Sequence, residues 1–357
     1  MSKFLFYINT LGHGGAERVM VNLANAFSSQ GIDCTLVTSF PVEWEYECGV
    51  YIKRINLYDS RICGGLKRNF RLIKALRKVI KSENPDTVIS FMAEPNFRML
   101  FASVGRKCRK IVSVRNDPNK EYPNAVFRFF AKTLYRLADG VVFQTKDAQE
   151  WFPKGIRRKS CIIMNQVDDV FYKTPLADER LDIITTGRLT AQKNHKMLIE
   201  AYSRVAKQIT SKLIIYGEGE LRGELEAYVK SLGLEDKIFL PGAVENVPEV
   251  LQSAKVFVLS SNYEGMPNSL LEAMAMGLPC VSTDCPCGGP RDVLFSLGSQ
   301  HLVEVGNIEH MAAALTNFCT LDEEKEKDII EKTKQISARF KSEAVINNWK
   351  GYMLGNG

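Results

Sequence analysis

Long apolar runs are what this sequence most plainly lacks. Nothing in its 357 residues approaches the roughly 20 consecutive apolar residues that cross a bilayer as a helix, so a membrane-spanning reading is excluded. The opening MSKFLFYINTLG carries one lysine and a short apolar run. It has neither the longer apolar region nor the small-residue cleavage site of a secretory leader, and it reads as a first strand. Histidine is scarce, at four residues, and the nine cysteines are scattered and odd in number. That pattern excludes a disulfide framework and fits reduced thiols in a cytoplasmic protein. The one crowded group, Cys280, Cys285 and Cys287, has His301 and His310 as its nearest histidines. Such spacing is poor for zinc, so the group reads as packed thiols beside a turn, and no metal site is expected. Two common phosphate signatures are missing as well. No G-K-[ST] follows a glycine loop, and Glu17 and Ala16 stand where a dinucleotide fingerprint needs glycine.

What is present is first a charge asymmetry. Residues Met1–Asn165 hold 27 Lys+Arg against 14 Asp+Glu, and the remainder holds 20 against 27. A basic first half implies an anionic partner: nucleic acid, a membrane surface or a phosphate-bearing substrate. The segment RICGGLKRNFRLIKALRKVIKS (Arg61–Ser82) sets Lys67, Arg71, Lys74, Lys78 and Lys81 at helical spacing beside Leu72, Ile73, Leu76, Val79 and Ile80. A solvated helix face is the ordinary fate of such a run. The size of the half-chain excess, to which Arg106, Lys107, Arg109 and Lys110 add, favours docking on anionic lipid or a lipid-pyrophosphate acceptor. Nucleic acid is not an expected partner, because no aromatic-and-basic recognition module is present.

Strand-like runs alternate with helical stretches through most of the chain. They are Phe4–Asn9, Cys34–Ser39, Thr87–Phe91, Lys110–Val114, Val141–Thr145 and Cys161–Asn165, then Leu181–Gly187, Lys212–Gly217, KIFLPG, VFVLSS and Leu278–Thr283. Alternation of this kind predicts βαβ units and parallel sheets. The polar stretch Gln166–Arg180 breaks the rhythm. The expected organisation is an α/β domain over 1–165, a linker over 166–180, a second α/β domain over 181–338, and a terminal helix within 339–357 that returns to the first domain. In open parallel sheets ligands bind beyond the carboxyl ends of the strands, so function is sought in the strand-exit loops.

Five such loops matter. TLGHGGAERV brings Gly14 and Gly15 to a helix start, where backbone can approach an anion closely. TGRLTAQKNH holds Arg188 and Lys193, which are either a diphosphate clamp or two solvated cations. IIYGEGELRGEL carries Gly217, and FLPGAVENVPEVL carries Val244 at the expected rim of a base pocket; plain turns explain both equally well. NYEGMPNSLLEAMAMGLPC (Asn262–Cys280) holds Glu264 and Glu272, seven residues apart. Glu264 falls on the exit loop and Glu272 about one turn inside a helix stopped by Gly277, so the two acids need not face one bond.

The set GGAERV, GRLTAQKNH, GEGEL, PGAVENV and Glu-x7-Glu, in order and at suitable spacing, resembles glycosyltransferase family four over nearly the whole chain. The resemblance implies the GT-B fold, two doubly wound Rossmann-like domains whose parallel sheets face across a cleft. It implies a retaining hexosyl- or N-acetylhexosaminyl-transferase, taking a nucleotide sugar, with UDP expected, and a lipid-linked or oligosaccharide acceptor in cell-surface glycan synthesis. By the family's pattern Glu264 bonds hydroxyls of the donor sugar, and Glu272 bonds the ribose hydroxyls. The segment Gly265, Met266, Pro267, Asn268, Ser269 and Leu270 holds sugar and phosphate by backbone amides. Arg188 and Lys193 neutralise the departing diphosphate, and Gly14 and Gly15 close over the phosphates. Fixed cations there stabilise developing charge, so metal-independent chemistry without a cofactor is expected, in keeping with the lack of an Asp-x-Asp triplet. The implied location is the inner face of the plasma membrane, as a peripheral protein.

One departure stands out. Where many members carry histidine, this chain has Arg115, followed by Asn116 and Asp117. Arginine is no base at neutral pH; its expected role is to bond the donor sugar or an acceptor phosphate, with Asp117 orienting it. A nucleotide-sugar epimerase of the same two-domain fold and a catalytically inactive nucleotide-sugar-binding subunit are the rival readings.

Overall fold

The computed structural model describes residues 2–12, 14–58 and 65–355. His13 of the glycine loop and residues 61–64 at the head of the basic segment lie outside the described residues. The chain forms two compact units, one of Met1–Met164 with Glu343–Gly357, the other of Asn165–Ser342.

Among the described residues the first unit contains seven parallel strands: β1 (Lys3–Ile8), β2 (Asp33–Thr38), β3 (Lys53–Asn56), β4 (Thr87–Phe91), β5 (Arg109–Ser113), β6 (Gly140–Phe143) and β7 (Ser160–Ile162). Their order is β3-β2-β1-β4-β5-β6-β7. Strand β1 is buried on both faces from Phe4 to Ile8, as a central strand of a helix-covered parallel sheet must be. The helix Gly15–Ser29 turns Val19, Met20, Leu23 and Phe27 onto it. The Phe27 ring meets Phe4 edge-on at 5.6 Å. Strand β3 escaped the sequence reading for a physical reason: KRIN has no apolar run, because an edge strand exposes most of its side chains.

The second unit holds β8 (Asp182–Thr186), β9 (Leu213–Tyr216), β10 (Ile238–Gly242), β11 (Ala254–Leu259), β12 (Cys280–Thr283) and β13 (Leu302–Val303), in the order β10-β9-β8-β11-β12-β13. Strand β13, two residues long, gives no readable pattern. Residues 166–180 pack within this unit: Phe171 is buried, and the Tyr172 hydroxyl donates to the Ser337 carbonyl at 2.8 Å. The buried Glu326 carboxylate pairs with Arg180 at 3.0 Å and Lys255 at 2.7 Å. In each sheet the connections reverse beside the first strand of that sheet, between β1 and β4 and between β8 and β11. Those are the points where parallel sheets open a ligand crevice.

The terminal helix Ser342–Leu354 completes the first unit. It buries Val345, Ile346, Trp349 and Met353, and Trp349 lies 5.7 Å from the Phe91 ring. The Thr87 hydroxyl donates to the Met353 carbonyl at 3.0 Å. The Tyr352 hydroxyl accepts from Val141 N at 2.9 Å. Residue 140 is glycine because a Cβ there would lie 2.6 Å from that hydroxyl. Trp349→Ala is expected to destabilise the protein by about 3–5 kcal/mol, the usual cost of emptying a fully buried aromatic site. A urea titration of both chains checks this; an unshifted midpoint would mean that the helix contributes little to the core.

Candidate active site at the strand-exit rims

The second unit gathers its chemistry beyond the carboxyl ends of β8, β9 and β11. The exit loop of β11 runs Ser260–Pro267 into the helix Asn268–Met276, which ends on Gly277 in the left-handed conformation, φ 88°. Glu264 lies on the loop and Glu272 in the helix, both buried. They belong to different structural elements.

Glu264 is held from several sides. Lys193 Nζ stands 2.7 Å from its Oε1, with the two side chains only 15% and 9% exposed. The Ser261 hydroxyl donates to the same oxygen at 2.8 Å. Gln192 Nε2 donates to Oε2 at 3.4 Å and to the Tyr263 carbonyl at 3.0 Å. The two loops are stitched further through backbone. The Ser260 hydroxyl donates to the Lys193 carbonyl at 2.8 Å, and Asn262 N donates to the Gln192 carbonyl at 2.8 Å. Its sequence position does not disclose that the charge of Lys193 is partly balanced by Glu264. Arg188, on the same loop, is exposed, and it makes no ion pair with another described residue.

The segment between the two glutamates is shaped for close approach. Asn165 Nδ2 donates to the Met266 carbonyl at 3.0 Å and to Asn268 Oδ1 at 2.6 Å. Gly265 is pressed from behind by Gly289, where a Cβ would lie 1.8 Å from the Gly265 carbonyl oxygen. The Ser269 hydroxyl is buried at the amide end of the helix and has no hydrogen-bond partner among the described residues. Leu270, next along, is fully buried and offers its backbone alone.

Gly217 ends β9 at φ 144°, and a Cβ there would fall 1.9 Å from the Gly187 carbonyl oxygen. The β8 and β9 exit loops thus meet on glycine backbone. Val244 is half-buried on the loop after β10. Cys280, Cys285 and Cys287 are buried, and burial pushes the Cys285 thiol up to about 12.

In the first unit, Gly14 caps the helix that Gly15 begins. A Cβ on Gly14 would clash with the Glu17 carboxylate, which folds back to that position. Arg115, past the end of β5, is buried with its guanidinium 4.6 Å over the Phe91 ring. Burial pushes it down to about 9. Its charged neighbour is Glu121, which the sequence reading missed. Glu121 Oε2 accepts from the amides of Arg115 and Asn116, each at 3.2 Å, and burial raises this carboxyl to about 7. Asp117 caps the short helix Pro118–Glu121, accepting from Asn119 N at 2.9 Å. A signal existed in the acid six residues after Arg115, but an acid in a first helical turn is too ordinary to stand out.

His195 also went unremarked. It opens the helix His195–Val205, is 3% exposed, and follows Lys193 closely. Burial first, and the Lys193 ammonium second, lower it from 6.5 to about 4. Above pH 6.5 it is neutral whether the chain is folded or not. As pH falls through that value the unfolded chain takes up a proton that the folded chain refuses, until about pH 4. Stability present at neutral pH is therefore lost over this window, by up to about 3 kcal/mol. Urea midpoints at pH 7 and pH 4.5 should differ less in His195→Gln than in the parent; equal pH slopes would count against the buried neutral imidazole.

Comparison with known proteins agrees along the whole chain. The family described as Glycosyltransferase Family 4 matches residues 13–171, and the family described as Glycosyl transferases group 1 matches 167–336. A Campylobacter jejuni protein, N-acetylgalactosamine-N,N'-diacetylbacillosaminyl-diphospho-undecaprenol 4-alpha-N-acetylgalactosaminyltransferase, is 30% identical, covering 99% of this chain and 100% of its own. A second from the same organism, a GalNAc-alpha-(1->4)-GalNAc-alpha-(1->3)-diNAcBac-PP-undecaprenol alpha-1,4-N-acetyl-D-galactosaminyltransferase, is 28% identical, covering 98% of this chain and 97% of its own. Among solved structures, the lipopolysaccharide outer core galactosyltransferase WaaB superposes with a TM-score of 0.79 at 22% identity, over 100% of both chains. Anabaena HepE in complex with UDP and glucose does so at 0.81 and 17%, again over 100% of both. At such identities the structural likeness concerns the fold, which is GT-B.

Proposed function

Because the chain belongs to glycosyltransferase family 4, we propose that it moves a hexose or N-acetylhexosamine from a UDP-sugar to a lipid-linked glycan, with retention at the anomeric carbon. The observation that carries this reading is the rim of the second unit. Glu264 is fixed there by Lys193 and Ser261, and Glu272 lies within the following helix. The names of the two Campylobacter jejuni relatives favour N-acetylgalactosamine as the sugar and an undecaprenyl diphosphate glycan as the acceptor.

In this reading Glu264 accepts from sugar hydroxyls and Glu272 from the ribose hydroxyls. The diphosphate lies against Arg188, Lys193 and the amides of residues 265–270. The bond from the anomeric carbon to the phosphate oxygen breaks, and a bond from that carbon to the acceptor oxygen forms on the same face. The acceptor's proton passes to the leaving phosphate, so no protein base is required. Negative charge grows on the diphosphate as the bond breaks, and fixed cations stabilise it most in the transition state. Chelation of divalent ions is expected to leave turnover unchanged. We place the enzyme at the inner face of the plasma membrane, its basic first half toward anionic lipid. Among the described residues no helix is long and apolar enough to cross a membrane.

A panel of UDP-GalNAc, UDP-GlcNAc, UDP-glucose and UDP-galactose, with and without lipid-linked acceptor, tests the proposal through UDP release. Acceptor-dependent release is expected with one donor, UDP-GalNAc first. Sugar interconversion without release would instead identify an epimerase, and binding without either an inactive subunit. With the active donor, Arg188→Ala should lower kcat about 10²–10³-fold. Glu272→Ala should chiefly weaken UDP binding, whereas Glu264→Gln should chiefly lower kcat. Identical effects from the two glutamate variants would remove the division between sugar and ribose grips.

A further inference from the structure

The helix Ala125–Leu134, AVFRFFAKTL, buries a single residue, Ala131. Val126 is 60% exposed, Phe129 66% and Phe130 41%, and Leu137 just beyond is 52% exposed. Clustered exposed aromatics are unusual on a soluble surface and mark an interaction site. The charges along this stretch of chain have one sign. Between Glu121 and Asp139 the sequence contains no acid, while Arg128, Lys132 and Arg136 line the same stretch. The neighbouring helix Ala93–Ala102 packs between this helix and Leu66–Glu83. The latter repeats the composition, with Phe70 70% and Leu66 88% exposed beside Lys67, Arg71, Lys74 and Lys78, which are also exposed.

We infer that the helix Ala125–Leu134 is a membrane-docking element that seats Val126, Phe129 and Phe130 among the acyl chains of an anionic bilayer, with Arg128, Lys132 and Arg136 at the lipid phosphates. An amphipathic helix with aromatics on one side and only cations flanking them is matched to an anionic interface. A second copy of this chain fits less well. A two-fold contact sets the same patch against itself, and here that would oppose three cations with three cations.

The helix is fastened to the rim loop of the first unit. Arg128 Nε donates to the Tyr122 carbonyl at 3.1 Å, and the Tyr122 and Tyr135 hydroxyls share a hydrogen bond of 2.8 Å. Tyr122 directly follows Glu121, which holds the amides of Arg115 and Asn116. Seating the helix in the interface therefore brings the Arg115 loop to headgroup depth, where the pyrophosphate of a lipid-linked acceptor lies. This functional consequence rests on the proposed acceptor class; the docking itself does not.

The test uses full-length protein and vesicles free of any glycan acceptor, one set of phosphatidylcholine alone and one with 30% phosphatidylglycerol. Co-sedimentation with the anionic set is expected, weakening as salt is raised. The double variant Val126→Ser/Phe129→Ser removes two exposed side chains and should lower partitioning about tenfold or more. Its turnover on a short-chain, water-soluble acceptor should match the parent. In a separate variant, Phe129→Trp, vesicle addition should shift the added emission to the blue, and brominated lipid should quench it. Equal partitioning of the parent and the double variant would overturn the inference, as would failure of the parent to bind anionic vesicles. So would light scattering that shows a dimer dissolved by the double variant while vesicle binding persists, because a second copy would then be the occupant. Failure of the acceptor class would appear in the UDP-release assay and leave the vesicle result standing.

Discussion

The buried pair of Lys193 and Glu264 is the contact on which the second unit's rim depends. It joins the loop after β8 to the loop after β11, across the crevice where the sheet's connections reverse. Neither side chain is free to rotate into solvent, and each removes the other's uncompensated charge. Gln192, Ser260, Ser261 and Asn262 complete the seam with hydrogen bonds of their own. The Glu264 carboxylate is thereby held in one orientation by groups from both loops.

Close backbone packing does the rest of the shaping. Gly217 lies against Gly187, and Gly289 against Gly265, at separations that no side chain would permit. The exit loops can therefore sit side by side on backbone alone. The first unit solves a related problem with buried charge. Arg115 rests over Phe91, and Glu121 satisfies two amides of its turn. An aromatic face beneath and a carboxylate beside it hold a cation that burial alone would disfavour.

Much of the architecture was legible because parallel α/β units write themselves in one dimension. Central strands such as FLFYI and VFVLS are buried on both faces, so they read as apolar runs, and the helices between them carry a different period. The strands that went unread, β3 and β13, are polar at an edge or two residues long. The order GGAERV, GRLTAQKNH and Glu-x7-Glu named the family, and the loop-and-helix placement of the two glutamates followed from the Gly-Met-Pro turn and the Gly277 stop.

What the sequence determined by itself was therefore local: element types, the exit loops that matter, and which residue types each loop offers. Only the tertiary structure decided partners. It matched Lys193 with Glu264, set the Glu121 carboxylate on the Arg115 and Asn116 amides, buried His195 into neutrality, and left Phe129 and Phe130 outside the core. The reason is that burial and charge pairing depend on segments far apart in the chain. Lys193 and Glu264 are 71 residues apart, and no periodicity in either segment encodes the other. An amphipathic helix likewise announces an apolar face, while the fold alone decides whether that face is covered.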